Sequence, residues 1–165
     1  MNTRPLIDLP KTTAERWLDV ASWLFVTISI ALALANFNGL PDSIPIHFNA
    51  AGEVDDYGSK YTIFLLPAIS FLTVGLLTFL VRFPQHFNYP TKITPENAAF
   101  EYKKAKILLR AINALTSLLM LLLTWNIVQA AGGQTTNFGA LFWVLIAAII
   151  VAPFVIMFWW KDKSR

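Results

Sequence analysis

Tyr61–Val81 reads YTIFLLPAISFLTVGLLTFLV, 21 residues without a charge, closed by Arg82. As a helix rising about 1.5 Å per residue it covers about 30 Å, the hydrocarbon thickness of a bilayer. A helix buried in a soluble protein would carry polar side chains at helical spacing on one face, and here whole turns lack them. Three more runs repeat the pattern. Val20–Ala35 is charge-free, and Trp17 and Asp19 lengthen it toward the interface. Ala111–Gln129 holds 19 residues after Arg110, and Phe138–Trp160 holds 23 before Lys161. The expected fold is all-α: a polytopic membrane protein of four transmembrane helices with one short extended extracytoplasmic loop.

Composition agrees. Hydrophobic residues make up 56% of the 165 residues and charged ones 14%, at a mean hydropathy of +0.54. An ordinary soluble domain carries about 25% charged residues, and a disordered chain needs low hydrophobicity, so both classes are excluded. No cysteine is present, which removes disulfides, thiolate metal sites and thiol catalysis. Trp17, Tyr61, Trp125, Trp143, Trp159 and Trp160 sit at or near the ends of the runs, where amphipathic rings favour the headgroup zone. Asn36, Asn38 and Gly39 suit a helix exit, as do Gly132 and Gly133. Pro67 and Pro153 lie inside runs and predict local distortion rather than helix ends.

Charge placement orients the chain. Twelve of its 13 Lys and Arg residues fall in the N-terminal tail, between the second and third runs, or in the C-terminal tail. Only Lys60 falls on the other side. Positive-inside bias places both termini in the cytoplasm of a multi-pass cell-membrane protein. The basic pI near 9.3 is therefore a topology signal and implies no nucleic-acid partner. Small residues at Ala31, Ala33 and Ala35 resemble a signal-peptide cleavage site, but the polar lead and the apolar stretch are both long for one, so an uncleaved first span is expected. The chain divides into a cytoplasmic tail (1–16), a two-span unit (17–82) with its extracytoplasmic loop (37–60), a cytoplasmic connection (83–106), a second two-span unit (107–160) and a short tail (161–165).

Within the connection, Thr94-Pro95-Glu96 reads as an N-cap, a proline at the first helical position and a first-turn acid, so the third helix starts well before the membrane. Lys103, Lys104, Lys106 and Arg110 then lie at headgroup level as topology anchors, with attraction of anionic lipid as the alternative. The loop is the unusual part. Ile44, Ile46 and Phe48 alternate with Pro45, His47 and Asn49, which predicts a short extended piece with one apolar face. Asn49–Gly52 reads as a turn, with Gly52 suited to positive φ. Glu53, Asp55 and Asp56 follow, then Lys60 just before the second span.

Leu40-Pro41, Ile44-Pro45-Ile46-His47-Phe48, Gly52, Asp55 and Lys60 together resemble the pattern of the domain-of-unknown-function family 1648, over about Ala21 to Val81. That domain is part of SdpI-type bacterial immunity and signalling membrane proteins. The resemblance implies a non-enzymatic protein that senses, or gives immunity to, an extracytoplasmic peptide or toxin, with a cytoplasmic regulator as a further partner beside membrane lipid. The resemblance covers only the N-terminal part of an SdpI-type protein, and a counterpart of the further membrane domain is not expected in these 165 residues. The loop residues Pro41, Ile44, Pro45, His47, Phe48, Gly52, Asp55, Asp56 and Lys60 are the candidate functional set.

The residues themselves leave two roles for that set. His47 with Glu53, Asp55 and Asp56 has the chemistry of a zinc or manganese site, but it is the single histidine on its side, since His86 lies across the membrane, and no histidine-pair signature exists. The expected role is structural locking: His47 bonded to a carboxylate and Lys60 paired with Asp55 or Asp56. No metal or cofactor is expected. Ser43 and Ser59 neighbour His47 in sequence without an oxyanion donor set or cofactor motif, so no enzyme is expected. Ser70, Asn113, Thr116, Ser117, Asn126 and Gln129 read as interhelical hydrogen-bonding residues. An accessory subunit of a membrane transport or envelope assembly is the alternative to sensing.

Overall fold

The computed structural model describes residues 4–49, 51–134 and 139–160. An extended N-terminal arm, 4–12, leads into α1 (Thr13–Asn36), which ends in a 3-10 turn at Phe37–Gly39. A hairpin of β1 (Ser43–Phe48) and β2 (Val54–Ser59) follows, then a 3-10 turn (Lys60–Phe64) that runs into α2 (Leu65–Leu80). A connection containing the turn Pro84–His86 leads to α3 (Ala98–Ala131), and α4 (Ala140–Phe154) closes the bundle. Four helical stretches are long and apolar enough to cross a membrane: Thr13–Gly39, Lys60–Leu80, Ala98–Ala131 and Ala140–Trp159. The protein is a four-helix multi-pass membrane protein.

Local chemistry explains where these helices start and stop. Thr12 caps α1: its Oγ1 accepts from the Glu15 N–H at 3.2 Å while Glu15 Oε2 accepts from the Thr12 N–H at 2.8 Å, a reciprocal capping box. α3 leaves through Gly132 and Gly133, the latter at φ 79°, where a side chain would clash with its own carbonyl. Pro67 stands in the first turn of α2, where its missing N–H costs little, and the preceding turn is 3-10. Pro153 marks a change from α to a wider π turn at Val155–Trp159. The expected cap at Thr94 is corrected. The helix begins at Ala98, because Asn97 turns its side chain back to accept from the Thr94 N–H at 2.8 Å, and residues 94–97 form a separate turn.

α3 is the central element, packing along α1, α2 and α4. Midway along the bundle Ser29 Oγ of α1 and Thr124 Oγ1 of α3 share a buried hydrogen bond at 3.0 Å. Asn113 donates to the Val74 carbonyl of α2 at 3.5 Å. Most of the other polar residues expected to bridge helices do not. Ser117 and Asn126 donate to carbonyls of their own helix, Gln129 to Gln134, and the Ser70 hydroxyl finds no partner among the described residues. A hydroxyl or amide that can reach the carbonyl three or four residues back satisfies itself locally, and only side chains at a close helix approach cross over.

Candidate functional site

The hairpin is seated on the helix ends by side chains that the sequence places on β1 and just before it. Ile44 is fully buried in a cluster with Leu40, Ala33 of α1, Ile63, and Ile127 and Val128 of α3. Phe48 packs on the edge of the same cluster. Fully burying one isoleucine is worth about 1.5–3 kcal/mol, enough to hold a two-stranded ribbon that is marginal by itself. The strands pair antiparallel, Ser43 facing Ser59, Ile44 facing Gly58, Pro45 facing Tyr57 and His47 facing Asp56, with register irregularities on either side of His47. Those irregularities undo the expected alternation. Ile44 and the adjacent Pro45 are both buried, whereas Ile46 is exposed, because a bulge rotates successive side chains out of strict two-residue phase.

Asn49 builds the turn. Its Oδ1 accepts from the N–H groups of Ala51 and Glu53 at 2.9 and 3.0 Å, and its Nδ2 donates to Glu53 Oε2 at 3.0 Å. Gly52 takes φ 84°, as its position in the sequence implies. Gly58 is a second glycine with a reason to be one, since a Cβ there would lie 3.0 Å from Ile46 Cδ1 and Cγ2. Gly58 did not stand out in the sequence and shows itself only once Ile46 is laid over it.

His47 is exposed, and its Nδ1 meets Asp55 Oδ1 at 2.5 Å, the carboxylate contact expected for it. Asp56 is also exposed and accepts from the Tyr57 N–H through Oδ1 at 2.8 Å. Lys60 does not pair with Asp55 or Asp56. Its Nζ lies 2.9 Å from Asp42 Oδ1, its N–H donates to the Asp42 carbonyl at 3.0 Å, and its ammonium stands over the Phe37 ring. The antiparallel register is the cause: the residue after Ser59 comes back beside the residue before Ser43, far from the turn. Pro41 is exposed at that same base. The nine candidate residues thus separate into a seat (Ile44, Pro45, Phe48), a base (Pro41, Lys60), a turn (Gly52) and a polar outer face (His47, Asp55, Asp56). Among the described residues, no three of His, Asp or Glu converge as a metal site.

The opposite end of the bundle holds charges that read from the sequence as headgroup anchors. Lys104, Lys106 and Arg110 are buried instead. Arg110 Nη1 donates to Glu15 Oε1 at 2.9 Å and Nε to Asp19 Oδ1 at 3.0 Å, while Lys11 pairs with Asp19 at 2.7 Å. Lys106 Nζ donates to the Leu9 carbonyl at 2.8 Å, and Lys104 pairs with Glu101 at 3.0 Å. The arm is bound into this network. Tyr102 donates its hydroxyl to the Pro5 carbonyl at 3.1 Å, and Arg4 donates to the Gln85 and Phe87 carbonyls and stacks on Tyr89. Burial pushes the Tyr89 phenol well above its ordinary pKa, helped by neighbouring Tyr102. One signal for this network was legible, the Thr12-x-x-Glu15 capping box; the partnership of Glu15 with a residue 95 positions away was not.

The segment that matches a known family is centred on the hairpin. Residues 24–71 match the family model of the domain of unknown function DUF1648. The DUF1648 segment therefore comprises the second half of α1, the whole hairpin and the first part of α2, and α3 and α4 lie outside it. The chain is also similar to an uncharacterized protein of Archaeoglobus fulgidus, 26% identical over 149 residues that cover 79% of this chain and 80% of the relative. That likeness extends beyond the DUF1648 segment. No solved structure matches the chain.

Proposed function

We propose that this protein is a non-enzymatic membrane receptor that meets an extracytoplasmic peptide or toxin through its hairpin, in the manner of SdpI-type immunity or signalling proteins. The observation that carries the reading is the division of labour within the hairpin. Ile44, Pro45 and Phe48 seat it, while His47, Asp55 and Asp56 stand exposed beside Ile46 and Tyr57 on a ribbon whose position is set by the bundle. With Nδ1 engaged by Asp55, His47 offers a ring of fixed orientation, suited to recognition of a polar or cationic group. Both termini lie in the cytoplasm under this reading, which puts the hairpin outside.

A cytoplasmic regulator would find fewer cations than the sequence suggests. Lys104, Lys106 and Arg110 are occupied internally, and Lys92 and Lys103 are exposed on that segment. The test is a deletion strain challenged with envelope-active peptides and complemented by the wild-type chain or His47→Ala. Heightened sensitivity that the wild type restores and His47→Ala does not is the expected result; unchanged sensitivity on deletion overturns the immunity reading.

One observation favours the accessory-subunit alternative. α4 packs chiefly on α3 and leaves Leu141, Val144, Ile150 and Val151 exposed, a face that suits another membrane subunit as well as lipid. Stoichiometric co-purification of a membrane partner, lost on enlarging or shrinking that face, would support this reading over the first.

A further inference from the structure

Beneath the N-terminal arm lies a cavity of about 220 Å³ whose polar lining is Lys11, Arg82, Lys106, Arg110 and Asp8, closed by Val81 and Pro84. We propose that this cavity takes a phosphate group, presented as the headgroup of an anionic phospholipid. Charge is the first argument. Glu15 and Asp19 are shared among Lys11, Lys106 and Arg110, two carboxylates against three cations. Arg82 is exposed and pairs with no acid among the described residues, and Asp8 is the one acid that lines the cavity. Four cations therefore face three acids, a surplus of one positive charge that matches a single phosphodiester.

Preorganisation is the second argument. Arg110 is held by two carboxylates and Lys106 by the Leu9 carbonyl, so two of the four cations are fixed before any anion arrives. Depth is the third. Arg82 directly follows the charge-free run that ends at Val81, and Arg110 directly precedes the one that starts at Ala111, so the cavity lies where a bilayer presents its phosphates. Basic pockets between membrane helices are known to hold anionic headgroups by this chemistry. The volume is about seven times that of a water molecule, room for a hydrated phosphate and too little for an acyl chain, which would stay in the bilayer.

The experiment compares retention of phosphatidylglycerol and phosphatidylcholine by the purified full chain, read by native mass spectrometry and by thermal stabilisation. Phosphatidylglycerol is expected to be retained in preference. Arg82→Gln should lower that retention about fivefold, the effect of one cation near a membrane surface, and Asp8→Asn should raise it by a similar factor. Lys92→Gln, an equal charge change on the same end but outside the cavity, should leave it unchanged. Equal retention of the two lipids, or an equal effect of Arg82→Gln and Lys92→Gln, would overturn the proposal. Inorganic phosphate supplies the second arm. Displacement of the lipid by millimolar phosphate would assign the site to the phosphate group itself, and persistence of the lipid preference in its presence would assign it to the bilayer headgroup.

Discussion

The two ends of the bundle contain ion pairs of the same length and different character. Asp42–Lys60 at the base of the hairpin and Glu15–Arg110 at the arm end both measure 2.9 Å. The Asp42 and Lys60 side chains are 97% and 23% exposed, so water reaches that pair, whereas Glu15 and Arg110 are 1% and 4% exposed. An exposed pair trades one hydrated state for another and is worth about 0–1 kcal/mol. A buried pair has already lost its water, so removing one partner strands a charge at a cost of about 3–5 kcal/mol. Contact distance does not separate the two; burial does. The hairpin end spends its stability on apolar seating and leaves Asp42, His47, Asp55 and Asp56 to face outward, while the arm end uses charges as internal ties among α1, α3 and the N-terminal arm.

The sharpest way to break this comparison is Arg110→Ala. It should cost about 3–5 kcal/mol and lower the thermal midpoint in detergent more than any hairpin substitution, because Glu15 and Asp19 lose their shared partner together. A midpoint shift no larger than that of an exposed-pair variant would show that burial does not distinguish the ends. Ile44→Ala comes next. It should cost about 2–5 kcal/mol and, more diagnostically, make the 40–60 segment sensitive to protease while the helices stay protected. Protection of that segment in the variant would mean the seat lies elsewhere.

Smaller effects refine the picture of the hairpin. Gly58→Ala should cost about 1 kcal/mol, since the new methyl meets the flexible and partly exposed Ile46, which can swing away. Hydrogen exchange confined to the two strands would check it. Asp55→Asn should change stability by less than about 1 kcal/mol, measured against the wild type in the same detergent, because the contact it weakens is exposed on both sides. A large loss would move the His47–Asp55 pair from the recognition face into the structural frame.

Parts of this architecture were legible because they depend on local pattern. The absence of polar side chains over whole turns marks four spans however those spans are packed. The Asn49–Gly52 turn follows from side-chain chemistry within four residues, and positive φ at Gly52 follows from the absence of a Cβ. The contact of His47 with a carboxylate was also in reach, since acids crowd the returning strand. Lys60 was assigned the wrong acid because proximity in sequence pointed to Asp55 and Asp56, while strand register returned it to Asp42. The alternation of Ile44, Ile46 and Phe48 failed for a similar reason: a bulge at His47 shifts phase, and no composition rule signals it.

The sequence by itself determined that the chain carries four stretches long and apolar enough to cross a membrane, and that the segment between the first two carries the unusual side chains. Each of those depends on transfer of nearby groups between water and hydrocarbon, which adds up residue by residue along the chain. Only the tertiary structure decided which charges are buried. Lys106 and Arg110 look like any headgroup lysine and arginine until α3 is laid against α1 and the arm is folded over both. A charge's energy depends on how much water remains around it and on which opposite charge replaces that water, and both are set by segments some 95 residues apart.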